Sequence, residues 1–236
     1  MNTLTLLYRQ FGKWLFPVYC LRCGREDDWV CQMCESSDPS APIQRCIFCK
    51  AIEKNGATCG ACRRRHHLDG LVVRGIYGQW VWRSLIHAWK YRGAKDAGIF
   101  CGRYIAECLD LMPMIESMAV VPVPLAPARK RERGFNQAEF LGLVLASSLN
   151  IPLIRALRRT RETMPQSKLS SEDRLKNVSD CFTIVPACDV RGQSFILVDD
   201  IVTTGATLDA AAKELKRAGA AQVWGLALVR GELSIK

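Results

Sequence analysis

An apolar run ends in two adjacent carboxylates at Phe195-Ile196-Leu197-Val198-Asp199-Asp200, and Ile201-Val202-Thr203-Thr204-Gly205-Ala206-Thr207 follows it. An apolar run of this length fits a strand buried on both faces. The acids then stand at its carboxyl end, where open α/β sheets place their ligands. A helix is expected over 206–218. The loop before it offers backbone N–H groups, hydroxyls and a helix N-terminus to an anion. A plain helix cap needs one Ser, Thr or Asp; two acids, three threonines and a glycine in this order exceed that need. Asp199 and Asp200 can accept from two ribose hydroxyls, and Val202, Thr203, Thr204, Gly205, Ala206 and Thr207 can wrap a 5′-phosphate. The pattern suits a sugar carrying both free hydroxyls and a phosphate.

This stretch resembles the motif with which type I phosphoribosyltransferases bind 5-phosphoribosyl 1-pyrophosphate (PRPP). A second anion site is expected after the apolar strand Val120–Leu125. There Arg129-Lys130-Arg131-Glu132-Arg133-Gly134-Phe135 reads as a basic loop spanning 126–135, and Asn136–Leu149 as a helix. Gly134 lets backbone approach an anion, and Arg131, Arg133 and the helix N-terminus can hold a pyrophosphate. Lys90 and Arg92 end the amphipathic segment Val81–Trp89. They fit phosphate ligands, and equally helix-end cations favoured by the dipole.

Eight cysteines form four Cys-x-x-Cys pairs: Cys20/Cys23, Cys31/Cys34, Cys46/Cys49 and Cys59/Cys62. With no secretory signal in view, such pairs argue for metal rather than disulfides. Two pairs supply the four thiolates of a closed tetrahedral zinc site, so two structural zinc ions in a double zinc ribbon are expected. Neighbouring pairs sharing an ion is the simplest scheme, and an interleaved one stays open. Cys101, Cys108, Cys181 and Cys188 fit small core residues.

The net charge of +10 comes from 33 Lys and Arg against 23 Asp and Glu. In the larger part of the chain the excess lies in two segments, Arg129–Arg133 and Arg155–Lys176. Clustered positive charge points to phosphate-bearing ligands. Arg155, Arg158, Arg159, Arg161 and Lys168 offer a track for a DNA backbone, which Arg63–Arg65 could extend. A plain solvated surface is an equal reading of the latter run. No stretch approaches the roughly 20 apolar residues of a membrane span, and a cytoplasmic location is expected.

Residues 3–15 have helical apolar spacing, and Asp38-Pro39-Ser40-Ala41-Pro42 reads as the joint between ribbons. Strands are expected at 71–77, 120–125, 195–199 and 222–229, and helices at 81–89, 95–112, 136–149 and 206–218. Their alternation predicts an α/β fold with a mainly parallel sheet. The expected division is residues 1–68, an N-terminal helix with the double zinc ribbon, and residues 69–236, the phosphoribosyltransferase-like domain.

Taken together, Pro122-Val123-Pro124-Leu125, Arg133-Gly134-Phe135-Asn136-Gln137, Lys90-Tyr91-Arg92-Gly93, Gln166-x-x-Leu169 with Arg174-x-x-Asn177 and Phe182, the Asp-Asp motif and the four cysteine pairs resemble the ComF family, including its GntX-type members. The resemblance implies PRPP with Mg²⁺ as ligand, single-stranded DNA and a competence helicase as partners, and a role in DNA uptake or utilisation. It implies that 155–182 forms the hood and loop over the site. A phosphoribosyltransferase reaction is implied only if the domain is active. The other readings are a nucleobase-salvage phosphoribosyltransferase and a non-enzymatic PRPP-sensing adaptor.

Overall fold

The computed structural model describes residues 17–26, 28–37, 42–78, 81–91, 95–113, 118–160 and 181–231. The expected helix at 3–15, most of the joint at 38–42, Arg92, Arg161 and Lys168 lie outside the described residues.

Four strands form one parallel sheet: β1 (Gly70–Ile76), β2 (Met118–Pro122), β5 (Ser194–Val202) and β6 (Gln222–Arg230), in the order β1-β6-β5-β2. All three pairings are parallel, with Val198 opposite Leu226 on one side and Pro122 on the other. Side chains alternate between faces. Val72, Val120, Ile196, Val198 and Leu226 enter one core, while Leu71, Val73, Val121, Leu197 and Ala227 enter the other. Covering both faces explains why these strands read as continuous apolar runs.

Helices α3 (Trp82–Tyr91), α4 (Lys95–Ala106) and α6 (Gln137–Leu149) cover the first face. Trp82, Leu85, Ile86 and Trp89 of α3 are buried at helical spacing. Helix α7 (Ala206–Arg217) covers the second face through Leu208, Ala211, Ala212 and Leu215. Beside it lies a short antiparallel pair, β3 (Leu157–Arg159) and β4 (Phe182–Ile184). At the sheet's ends, Ile43 bridges to Val73 of β1, and Leu153 bridges to Val120 of β2.

Three expectations change. The segment 126–135 is not a loop throughout: Pro127–Arg133 is helix α5, with Pro127 in its first turn and Gly134 closing it at φ +75°. Proline there has a fixed φ already suited to a helix and lacks only an N–H that would go unused. The helix expected over 95–112 ends at Ala106, and a 3₁₀ turn, Leu109–Leu111, follows. The strand expected at 120–125 begins earlier, at Met118, and ends at Pro122.

Candidate functional site

The cysteines form two groups, Cys20/Cys23/Cys31/Cys34 and Cys46/Cys49/Cys59/Cys62, each with its sulfurs within 4.8 Å of one another. Neighbouring pairs therefore share a cluster, and the interleaved scheme is excluded. The two modules repeat one design. Gly24 (φ +71°) and Lys50 (φ +65°) turn the chain after the second cysteine. Gly24 N–H donates to Cys20 O at 2.9 Å, and Lys50 N–H to Cys46 O at 2.8 Å. The second pair of each module opens a short helix, α1 (Gln32–Ser36) after Cys31 and α2 (Gly60–Arg63) after Cys59.

The thiols are free rather than bridged. Cys23 and Cys31 sulfurs lie 3.6 Å apart, and those of Cys49 and Cys59 3.5 Å. Four thiolates about 2.3 Å from a tetrahedral ion stand about 3.8 Å apart, so both clusters fit a zinc-type site. Burial opposes ionisation of Cys20, but N–H donors at Cys31, Cys23 and Arg22 outweigh it and bring the thiol down to about 6. Cys46 is likewise brought down to about 7, against its burial, by N–H groups of Cys59, Cys49 and Phe48. Backbone donors that favour thiolate favour metal.

The two acids of β5 occupy consecutive strand positions, so they leave on opposite faces. Asp200 lies on the α3 side, largely buried, and forms an ion pair with Lys90. Lys90 is thus placed on the acid pair itself. Asp199 accepts from Asp200 N–H at 2.8 Å. Burial, and next the charge of Asp200, push its carboxyl up to about 7, with the Asp200 N–H and Lys90 opposing.

Beyond the acids, Val202 ends β5 and Thr203, Thr204 and Gly205 lead into α7. Gly205 caps that helix at φ +82°, and Thr204 Oγ1 accepts from Ala206 N–H at 3.3 Å. Ala206 is buried and Thr207 half-buried in the first turn. The segment thus runs as a left-handed turn that opens a helix.

The N-terminus of α6 stands beside this edge. Val123 N–H donates to Val198 O at 3.0 Å, and Asn136 Nδ2 donates to Val123 O at 3.0 Å. Asn136 also caps α6 by accepting from Ala138 N–H at 3.1 Å. Arg133 donates to the buried Gln137 at 3.2 Å, while Arg131 and Gly134 are exposed. Arg129 and Arg133 are half-buried and four residues apart, hence on one side of α5.

Strand β3 separates two arginines that the sequence placed on one track. Arg158 is exposed, whereas Arg159 is half-buried with its guanidinium over Phe182 at 5.5 Å. Burial lowers the Arg159 pKa; Cys181 and Asp199 oppose that, and Arg129 adds to it. Arg159 therefore packs on the β3–β4 pair rather than lying on an exposed track with Arg158. Arg155 pairs with Glu139 at 2.6 Å. Adjacent strand positions face opposite ways, but a three-residue strand is too short for that alternation to be read from the sequence. Asp209 was not foreseen: its carboxylate accepts from His67 and Leu68 N–H at 2.7 and 3.1 Å. Among the described residues no helix is long and apolar enough to cross a membrane.

A doubly covered parallel sheet with acids, a phosphate-type loop and a helix N-terminus at its carboxyl edge defines a phosphoribosyltransferase-type protein, here joined to two four-cysteine modules. The phosphoribosyl transferase domain model matches residues 137–232. The chain is 40% identical to Competence protein F of Haemophilus influenzae over 90% of this chain and 97% of that one. It is 30% identical to Competence protein ComFC of Bacillus subtilis over 87% and 86%, respectively. It is 40% identical to DNA utilization protein YhgH of Escherichia coli over 91% of each. The chain belongs to the ComF family. Among solved structures, adenine phosphoribosyltransferase from Leishmania tarentolae matches at 11% identity and a TM-score of 0.41, over 68% of this chain and 91% of that one; so loose a likeness carries no argument.

The clusters and the acid pair each generate a prediction. Elemental analysis of protein purified without chelator should find close to two zinc ions per chain; no metal, with disulfides among residues 20–62, would contradict the cluster assignment. The second concerns Asp199, whose carboxyl stands near 7 when folded against about 4 unfolded. The folded state then binds the extra proton between those values, so this group costs stability as pH rises from about 4 to 7. Asp199→Asn should raise the thermal midpoint at pH 8, and the gain should vanish near pH 4. A midpoint equal to wild type at pH 8 would refute it.

Proposed function

We propose that this chain binds PRPP with Mg²⁺ at the carboxyl edge of its sheet and engages single-stranded DNA in DNA uptake or utilisation. The observation that carries the reading is the sequence of groups at the end of β5: two acids, then a left-handed glycine turn opening α7. In this reading Asp199 and Asp200 accept from the ribose hydroxyls. Val202, Thr203, Thr204, Gly205, Ala206 and Thr207 surround the 5′-phosphate. Arg131, Arg133 and Gly134, with the N-terminus of α6, meet the pyrophosphate. Lys90 acts through Asp200, with which it forms an ion pair, and Arg92 is a further phosphate ligand. Mg²⁺ would arrive with the ligand and supply charge stabilisation beside Asp199 and Asp200, as suits an ion that keeps much of its own water.

Residues 1–68 serve as the metal module and residues 69–236 as the sugar-phosphate domain. The eight cysteines of the two clusters hold zinc. A competence helicase is the partner we would seek. If the domain turns over, a nucleophile displaces pyrophosphate at C1 of the ribose, and the protein contributes chiefly position and charge stabilisation. The exposed Arg64, Arg65 and Arg158 are the cations we assign to a DNA backbone.

One set of measurements tests these assignments. PRPP affinity by calorimetry should fall about tenfold or more in Asp200→Asn, the cost of a lost charge-assisted hydrogen bond. Arg159→Ala should weaken PRPP and leave single-strand binding nearly intact. Arg158→Ala should do the reverse, and should reduce the salt slope by about 0.7. Unchanged PRPP affinity in both Asp199→Asn and Asp200→Asn would remove the site assignment. Pyrophosphate release, assayed with a nucleobase panel and with single-stranded DNA, separates the enzyme from the adaptor.

A further inference from the structure

The two cysteine modules dock on different faces of the sheet. Cys20, Val30, Cys31 and Cys34 join the core of α3 and α4, and Glu35 meets Arg103 of α4 at 3.1 Å. The second module instead meets the turn that opens α7. Ile47, inside the Cys46–Cys49 turn, is 4% exposed and shares a core with Val202, Ala206 and Leu208. A Cβ on Gly205 would come within 3.1 Å of Ile47 Cγ1 and 3.4 Å of Phe48 Cε1. The glycine thus supplies both the left-handed turn and the room that the module fills.

Further contacts surround the same turn. Arg230, opposite Val202 in the sheet, donates to Ile47 O at 3.4 Å. Asp209, whose N–H donates to Gly205 O at 2.8 Å, accepts from His67 and Leu68 N–H. Its other oxygen lies 2.9 Å from His66 Nδ1, and the His66 ring stacks on Phe48 at 3.5 Å between centroids. Both ends of the second cysteine cluster, the Cys46–Cys49 turn and the strap 66–68 after Cys62, therefore grip residues 205–209. A small module of this kind has little apolar core and takes its shape from its metal.

We propose that the second cluster, Cys46/Cys49/Cys59/Cys62, is a positioning part of the sugar-phosphate site: loaded with zinc, it holds the Val202–Thr207 loop in its ligand-binding shape, whereas the first cluster does not. The ligand side of this inference rests on the reading that the loop binds the 5′-phosphate of PRPP. Losing the brace lets the loop sample other shapes, and affinity falls by the fraction of time the binding shape is kept. Coupling of this kind is reciprocal, so PRPP must also hold zinc in the second cluster.

The test compares full-length variants that each keep one cluster: Cys46→Ser with Cys49→Ser, and Cys20→Ser with Cys23→Ser. Without PRPP, amide exchange at Thr203–Leu208 should speed up in the first variant and match wild type in the second. Calorimetry with PRPP and Mg²⁺ should show affinity about tenfold weaker or worse in the first variant and near wild type in the second. In wild type, PRPP should slow the loss of one of two zinc ions to a chelator. Ile47→Ala keeps every cysteine, so it should retain both ions while still speeding exchange at the loop. Equal exchange and equal affinity in the two cysteine variants would overturn the proposal. Faster loop exchange in the first variant alone, together with a wild-type protein that binds no PRPP, would sustain the brace and remove the PRPP reading instead.

Discussion

Consecutive side chains of a strand point to opposite faces of its sheet, and β5 carries that constraint out of the core and into the site. Val198 belongs to the core beneath α3, α4 and α6, and Leu197 to the core beneath α7. The same alternation sends Asp200 to Lys90 of α3 and Asp199 to the opposite face, the side of α7. Two acids that look equivalent in the sequence therefore have different surroundings. One is held by an internal cation, and the other has its proton affinity raised by burial and by its neighbour's charge. Opposed environments of this kind are how adjacent carboxyls acquire separate tasks.

The two cysteine modules extend the logic of the two faces. Each repeats a turn with a left-handed residue after its second cysteine and a short helix after its third. Yet the repeats are not interchangeable in place. One backs the helices on the Lys90 side, and the other backs the loop and first turn of α7. Ile43 of the second module also bridges to β1, so its backbone covers an edge that would otherwise be open. A metal-shaped module is a stiff support for such contacts, because its geometry is set by four bonds rather than by a core of its own.

Much of this was legible in the sequence. The run at 195–200 announced a doubly buried strand because both cores need apolar side chains from it. The cysteine spacing announced two clusters, since four such pairs supply the ligands of two tetrahedral ions, although which pairs shared an ion became clear only in three dimensions. Helix α5 was misread because Pro127 after an apolar strand signals a stop as readily as a helix start, and its charged residues carry no apolar period. Strands β3 and β4 have three residues each, too few for alternation to stand out, so Arg158 and Arg159 looked alike. The contacts of Asp209 with residues 66–68 join positions about 140 apart in the chain; no local pattern encodes such a meeting.

The central claim is that one ligand is held between two helix N-termini at the carboxyl edge of the sheet. Backbone amide shifts of isotope-labelled protein, titrated with PRPP and Mg²⁺, test it most directly. The account predicts saturable shifts in two segments far apart in sequence, Thr203–Thr207 and Gly134–Gln137, appearing with one affinity. Shifts in only one segment, or saturating shifts that leave both unmoved, would contradict it.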